Sequence, residues 1–225
     1  MIERAGEKNQ YQFRMIGNFF FAFLFAAFIQ MGFPIFFQPA RFLCDDGEDC
    51  SEEAVCARGN YRLSEDVKSV AYSFGLVCER KKYLSTCFSA FLYGGFMGSL
   101  YYGEVIERKG RRWAVLESLG MMVGGLLLSF LAGSAWLFSF GVFFFNAGFR
   151  GFYNAAFLSI SEVTGKVMRA MTPMICSIGW ALGQITIGIF SLFLVNWRII
   201  FLLTLLPLTV LFYLAYKNIL DSPRF

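Results

Sequence analysis

The sequence predicts an all-α membrane protein with six transmembrane helices, and three observations carry that prediction. Hydrophobic residues make up 57% of the chain and charged ones 16%, where soluble domains run roughly 45–50% and about 25%. The apolar residues gather into runs of about 20, the length a helix needs to cross a hydrocarbon layer about 30 Å thick. The short basic stretches fall in alternate connections, as they do when cations are retained on one side of a bilayer. The 29 Phe suit lipid contact and helix packing alike, so they are assigned no chemistry.

Residues 1–14 form a polar lead containing Arg4, Lys8 and Arg14. Helix 1 is expected over 15–37, interrupted near its far end by Gly32 and Pro34, where a missing N–H bends the chain. No short apolar core with a small-residue cleavage site precedes it, so helix 1 is expected to stay in place as the insertion signal. Gln30 is its notable polar side chain, an amide suited either to holding helices together or to touching a solute. Residues 38–82 form a cap loop holding Cys44, Cys50, Cys56 and Cys78. If oxidised, four loop cysteines allow two disulfides in three connectivities. Zinc is the rival reading, against which stand the absence of His and of any C-x-x-C pair. Cys87 and Cys176 lie in apolar runs and are expected to stay free.

The remaining helices occupy 83–216, with spans at 83–106, 113–131, 136–160, 171–195 and 199–216; residues 217–225 are a tail. Between the second and third spans lies the stretch GSLYYGEVIERKGRR, 98–112, with Arg108, Lys109, Arg111 and Arg112 in a loop too short to fold alone. Loops this basic stay in the cytoplasm. Gly110 lets the chain reverse, and Gly94 with Gly98, Gly120 with Gly124, and Gly179 with Gly183 give helices flat faces for close approach. Further cations at 166, 169, 217 and 224 fall on the same side, which places both termini in the cytoplasm and the cap outside.

The hinge pattern, Gly-x-x-x-Gly, acid, Arg, x, Gly, Arg, Arg, resembles the signature between helices 2 and 3 of the major facilitator superfamily. LVCERKKYLSTCFSAFLYGGFMGS, 76–99, is similar to the organic cation/anion transporter branch, and DSPRF, 221–225, resembles the motif that follows helix 6 there. The resemblance spans the chain but only the first, N-terminal half of the family's twelve-helix fold. It implies a cytoplasmic gate built from Gly98, Glu107, Arg108, Gly110, Arg111 and Arg112, with Glu162 and Arg169 as partners, which holds the halves together in the outward-open state. Two departures stand out: the hinge acid is Glu107 where the family has Asp, and Val142 stands where the family has an arginine. The family's cap carries glycosylation sites, whereas no Asn here begins an Asn-x-Ser/Thr sequence. Both the plasma membrane and an internal membrane remain open.

Helix 4 carries the most unusual polar set. Asn146, Arg150 and Asn154 fall four residues apart on one face at mid-membrane depth, where an arginine costs a few kcal/mol against lipid. Arg150 therefore faces a cavity or a partner. Two readings stay open: it is bonded inside the bundle, or it holds an anionic solute or an acid from another bundle. With Gln30 and Gln184, this set forms the candidate substrate cavity.

The chain offers no nucleotide-binding loop, no His and no acid pair at matching depth, so neither an enzyme nor a cofactor or metal site is expected, and no nucleic-acid partner. The expected partners are the lipid bilayer, a second six-helix bundle or other membrane subunits, and a small organic solute. Three functions follow in order: transport of small organic ions as a half-transporter completed by a second bundle, a transporter-derived structural subunit of a larger membrane complex, and a receptor module using the cap.

Overall fold

A computed structural model describes residues 10–38, 42–43, 56, 62–63, 68–163, 166–193 and 196–218. Six long helices dominate it: α1 (Gln10–Phe36), α3 (Lys82–Lys109), α4 (Arg111–Phe130), α5 (Ala135–Val163), α6 (Lys166–Phe193) and α7 (Trp197–Asn218). The single-turn helix α2 (Val70–Ser73) and a short antiparallel ladder of β1 (Phe42–Leu43) with β2 (Arg62–Leu63) belong to the cap segment. Among the described residues the fold is helical apart from that ladder and one isolated parallel bridge between Lys68 and Asn196.

Among the described residues, α1, α4, α6 and α7 are long and apolar enough to cross a membrane. Six such helices were expected. The two that fall short, α3 and α5, do not lack length, at 28 and 29 residues. Their apolar runs are diluted: α5 carries Asn146, Arg150 and Asn154, and α3 carries a series of Gly, Ser and Tyr residues. On α5, Asn146 is buried against other helices and Arg150 lines a cavity, positions where hydrocarbon-like composition is not required.

Helix α5 packs between α3 and α4, while α1 packs against α6 and α7, and α4 also meets α7. Missing side chains set the distances. A methyl on Gly94 or Gly98 would collide with the backbone of Phe143 or Ala147 on α5, and one on Gly183 with the Leu24 carbonyl on α1. Such close approach replaces the hydrophobic effect, which gives no drive between helices in lipid. On α4 the contact residue is Gly125, which abuts Gly141 and Phe145. Gly124, read as part of the flat face, looks onto open space, and Gly120 makes only ordinary contact with Phe212. Two buried hydroxyls are satisfied within their own helices: Ser129 donates to the Gly125 carbonyl at 2.9 Å and Thr204 to that of Ile200 at 2.9 Å.

At the end of the bundle beside the cap, Trp197 is buried among Phe74, Phe138 and Phe201, with ring centroids 5.2 Å from Phe138 and 5.3 Å from Phe201. Its indole N–H donates to Ser73 Oγ at 3.0 Å, so α2 is pinned to the start of α7. Arg198 donates to the Ala132 carbonyl at 3.1 Å, satisfying an acceptor just past the end of α4. A disulfide joins Cys56 to Cys78, with Cα atoms 5.7 Å apart. Cys44 and Cys50 lie outside the described residues. Cys87 and Cys176 are free and buried.

Candidate functional site

Helices α1, α5 and α6 border an open cavity of about 320 Å³ lined by Phe23, Gln30, Met31, Phe149, Arg150, Tyr153, Phe157, Cys176, Ser177 and Trp180. The local sequence explains the wall. Phe149, Tyr153 and Phe157 recur every four residues and so form one stripe on α5, while Phe23 and Gln30 are seven apart on α1. Trp180 stacks on Phe149 at 5.4 Å, and Phe23 meets Tyr153 edge-on at 5.8 Å. Arg150 is exposed although it lies at mid-length of α5.

Behind this wall the polar residues separate into two roles. Asn146 is only 2% exposed; its Oδ1 accepts from Gln30 Nε2 at 2.6 Å, and its Nδ2 donates to the Phe91 carbonyl at 2.7 Å. One amide thus ties α1, α5 and α3 together. Gly95, unnoticed in the sequence, leaves room for that amide and for the stem of Arg150, since a side chain there would press on both. Gln30 combines the two readings offered for it, bonding Asn146 and lining the cavity. Of the five polar residues assigned to a substrate cavity, Gln30 and Arg150 line this one. Asn146 sits behind it as a helix tie, and the half-buried Asn154 and Gln184 are not among its lining residues. The aromatic wall was missed, although the spacing of Phe149, Tyr153 and Phe157 was visible.

The charged hinge is the second site. Gly110 alone links α3 to α4, with φ of 85°, a left-handed conformation that favours glycine. Arg108 pairs with Glu104 at 2.7 Å along one exposed turn. Across the hinge, Lys109 Nζ lies 3.4 Å from Glu117 Oε2, and the Tyr101 hydroxyl donates to Glu117 Oε1 at 2.5 Å. Among the described residues, Glu104 and Glu117 are the acids seen to engage, while Glu107 is exposed and makes no ion pair. Gly98 sits against Ala147, Arg111 and Arg112 are half-buried at the start of α4, Arg169 is exposed, and Val142 is fully buried. The Glu162 side chain and the closing 221–225 motif lie outside the described residues.

The profile of the Major Facilitator Superfamily matches residues 62–224. The chain belongs to the Major Facilitator Superfamily. It is an integral membrane protein of a transporter family rather than an enzyme family. Over 177 residues it is 28% identical to the human organic cation/carnitine transporter 2, covering 77% of this chain and 31% of that protein. It is 24% identical over 174 residues to the Drosophila melanogaster organic cation transporter-like protein, covering 77% of this chain and 30% of the relative. Organic cation transporter 1 of Caenorhabditis elegans is 25% identical over 171 residues, covering 75% of this chain and 29% of that relative. The chain thus spans about a third of these relatives' length. In fold it is similar to the D-xylose–proton symporter, with a TM-score of 0.59 at 15% identity, covering 94% of this chain and 48% of the other. The inward-open xylose transporter of E. coli gives a TM-score of 0.58 at 17% identity, covering 94% and 47%.

Proposed function

We propose that this chain forms one six-helix half of a transporter for small organic ions and that its cavity is completed by a second six-helix bundle. The observation that carries the reading is the exposed Arg150 beside an aromatic wall. A guanidinium at mid-span costs too much against lipid, so the face that carries it meets water, solute or a second bundle. In this superfamily the solute sits between halves near the midplane, which is where the cavity of α1, α5 and α6 lies on this reading.

The lining favours solutes with an anionic group on an apolar or aromatic body. An ammonium about 6 Å from Arg150 would be repelled by about 3 kcal/mol at an effective dielectric constant of 20, whereas one ring face returns about 0.5–2 kcal/mol. A carboxylate reverses the larger effect and keeps the ring contacts for its organic body. The second bundle comes from the same polypeptide, a second copy or a separate chain. All six long helices cross the bilayer, with both termini and the hinge in the cytoplasm and the cap outside.

Two measurements test this reading. The mass of the complex extracted intact from its membrane should include twelve long helices, and vesicles holding that complex should accumulate a labelled aromatic carboxylate. A complex that lacks a second transporter-like bundle, in vesicles that take up neither organic anions nor cations, would instead identify a structural subunit. Labelling of a cysteine placed at Lys109 from outside sealed vesicles would overturn the sidedness.

A further inference from the structure

A second, larger hollow lies where the hinge meets the last turn of α7. It measures about 550 Å³ and is lined by Lys109, Arg112, Trp113, Leu116 and Tyr216. That volume falls within the range of small-molecule sites. We infer that this groove binds the headgroup of an anionic phospholipid in the leaflet at the hinge.

Charge, position and shape select that occupant. The hinge and the adjoining helix end carry Arg108, Lys109, Arg111, Arg112 and Lys217 against Glu104, Glu107 and Glu117. The local balance is therefore positive, although Glu117 already engages Lys109 at 3.4 Å. A phosphodiester accepts hydrogen bonds from Lys and Arg together, the guanidinium offering a fork and the ammonium a point charge. The groove lies where α3 and α7 end and α4 begins, so it opens at the membrane surface rather than at mid-depth. Trp113 and Tyr216 on its rim are 54% and 62% exposed, and such rings settle at headgroup level, apolar body inward and polar tip outward.

The acyl chains have a path as well. Leu206, Val210 and Tyr213 are exposed at i, i+4 and i+7 on α7, on the course that leads from Tyr216 toward mid-helix. A soluble phosphate would use only the cations. A lipid uses the cations, the aromatic rim and the apolar stripe together. The inference depends on the hinge lying at a membrane surface and not on which solute, if any, is transported.

The test is native mass spectrometry of the full chain in mild detergent, offered equal amounts of phosphatidylglycerol and phosphatidylcholine with matched acyl chains. Selective retention of phosphatidylglycerol is expected, undisturbed by excess inorganic phosphate. Lys109→Gln should reduce that retention about fivefold, the factor for one basic side chain at an anionic surface. Tyr216→Ala, at a site too exposed to unfold the bundle, should reduce it while circular dichroism stays unchanged. Equal retention of both lipids, displacement by phosphate, or unchanged selectivity in both variants would each overturn the assignment.

Discussion

Replacing Asn146 by Leu asks whether a single amide holds three helices together. The substitution keeps the number and branching of side-chain heavy atoms and removes two hydrogen bonds, from Gln30 at 2.6 Å and to the Phe91 carbonyl at 2.7 Å. Side-chain hydrogen bonds between membrane helices average about 0.6 kcal/mol and reach about 1.7. Short distances and the 2% exposure of Asn146 put this pair toward the upper end, at about 1 kcal/mol each. Asn146→Leu loses both bonds but leaves the Gln30 amide at the cavity edge, so its total cost should be about 2 kcal/mol. Gln30→Leu should cost about 1–2 kcal/mol, because the bond to Phe91 survives while the buried Asn146 Oδ1 loses its partner. The double variant should then be little worse than Asn146→Leu alone, giving a coupling of about 1–2 kcal/mol. The assay is reversible unfolding in mixed micelles followed by the fluorescence of the four Trp. Coupling below about 0.3 kcal/mol, the ordinary error of additivity, would refute the claim that these two amides are bonded.

Other substitutions test the packing and the cap. Gly98→Val should destabilise the bundle by about 3 kcal/mol, since its side chain meets Ala147 backbone that cannot rotate away. Gly103→Ala on the same helix, where nothing lies within 4 Å, should stabilise by up to about 1 kcal/mol; equal effects at both sites in a thermal melt would contradict the close-approach account. Gly110→Ala should cost about 2 kcal/mol through the strained hinge conformation, and a melting temperature equal to the parent's would argue against that conformation. Cys56→Ser opens a loop of sequence separation 22, which predicts a loss of about 3 kcal/mol and faster proteolysis of 38–82. Unchanged protease resistance would mean that the disulfide does not constrain the cap.

Much of the helical layout could be read because apolar runs and small-residue spacing are local signals. Gly94 and Gly98 announce the contact with α5 because a flat helix face has few other uses, and Gly110 stands out between charged residues. What could not be read depends on helix rotation. Gly125 rather than Gly124 meets α5, a shift of one residue that turns a side chain by about 100° and cannot be fixed without knowing the neighbour. Asn146 and Arg150 share a face on a helical wheel, yet one is 2% exposed and the other is exposed to the cavity. They separate because the Asn146 amide bonds Gln30 and the Phe91 carbonyl, whereas Arg150 lays only its stem near Gly95 and carries its charge to the cavity, a tertiary fact. The Glu117 contacts with Tyr101 and Lys109 likewise bridge two helices, and no local motif points to them.

The central claim, that Arg150 belongs to a solute cavity, is tested most directly by comparing Arg150→Gln and Arg150→Lys in the complete native complex. Binding of a labelled aromatic carboxylate is measured beside thermal stability and recovery of the complex. The account predicts that Arg150→Gln abolishes binding, that Arg150→Lys retains part of it, and that stability and assembly stay close to the parent's. Loss of the partner bundle, or a fall in stability of about 3–5 kcal/mol, the cost of breaking a buried ion pair, with binding intact in the molecules that remain, would contradict it.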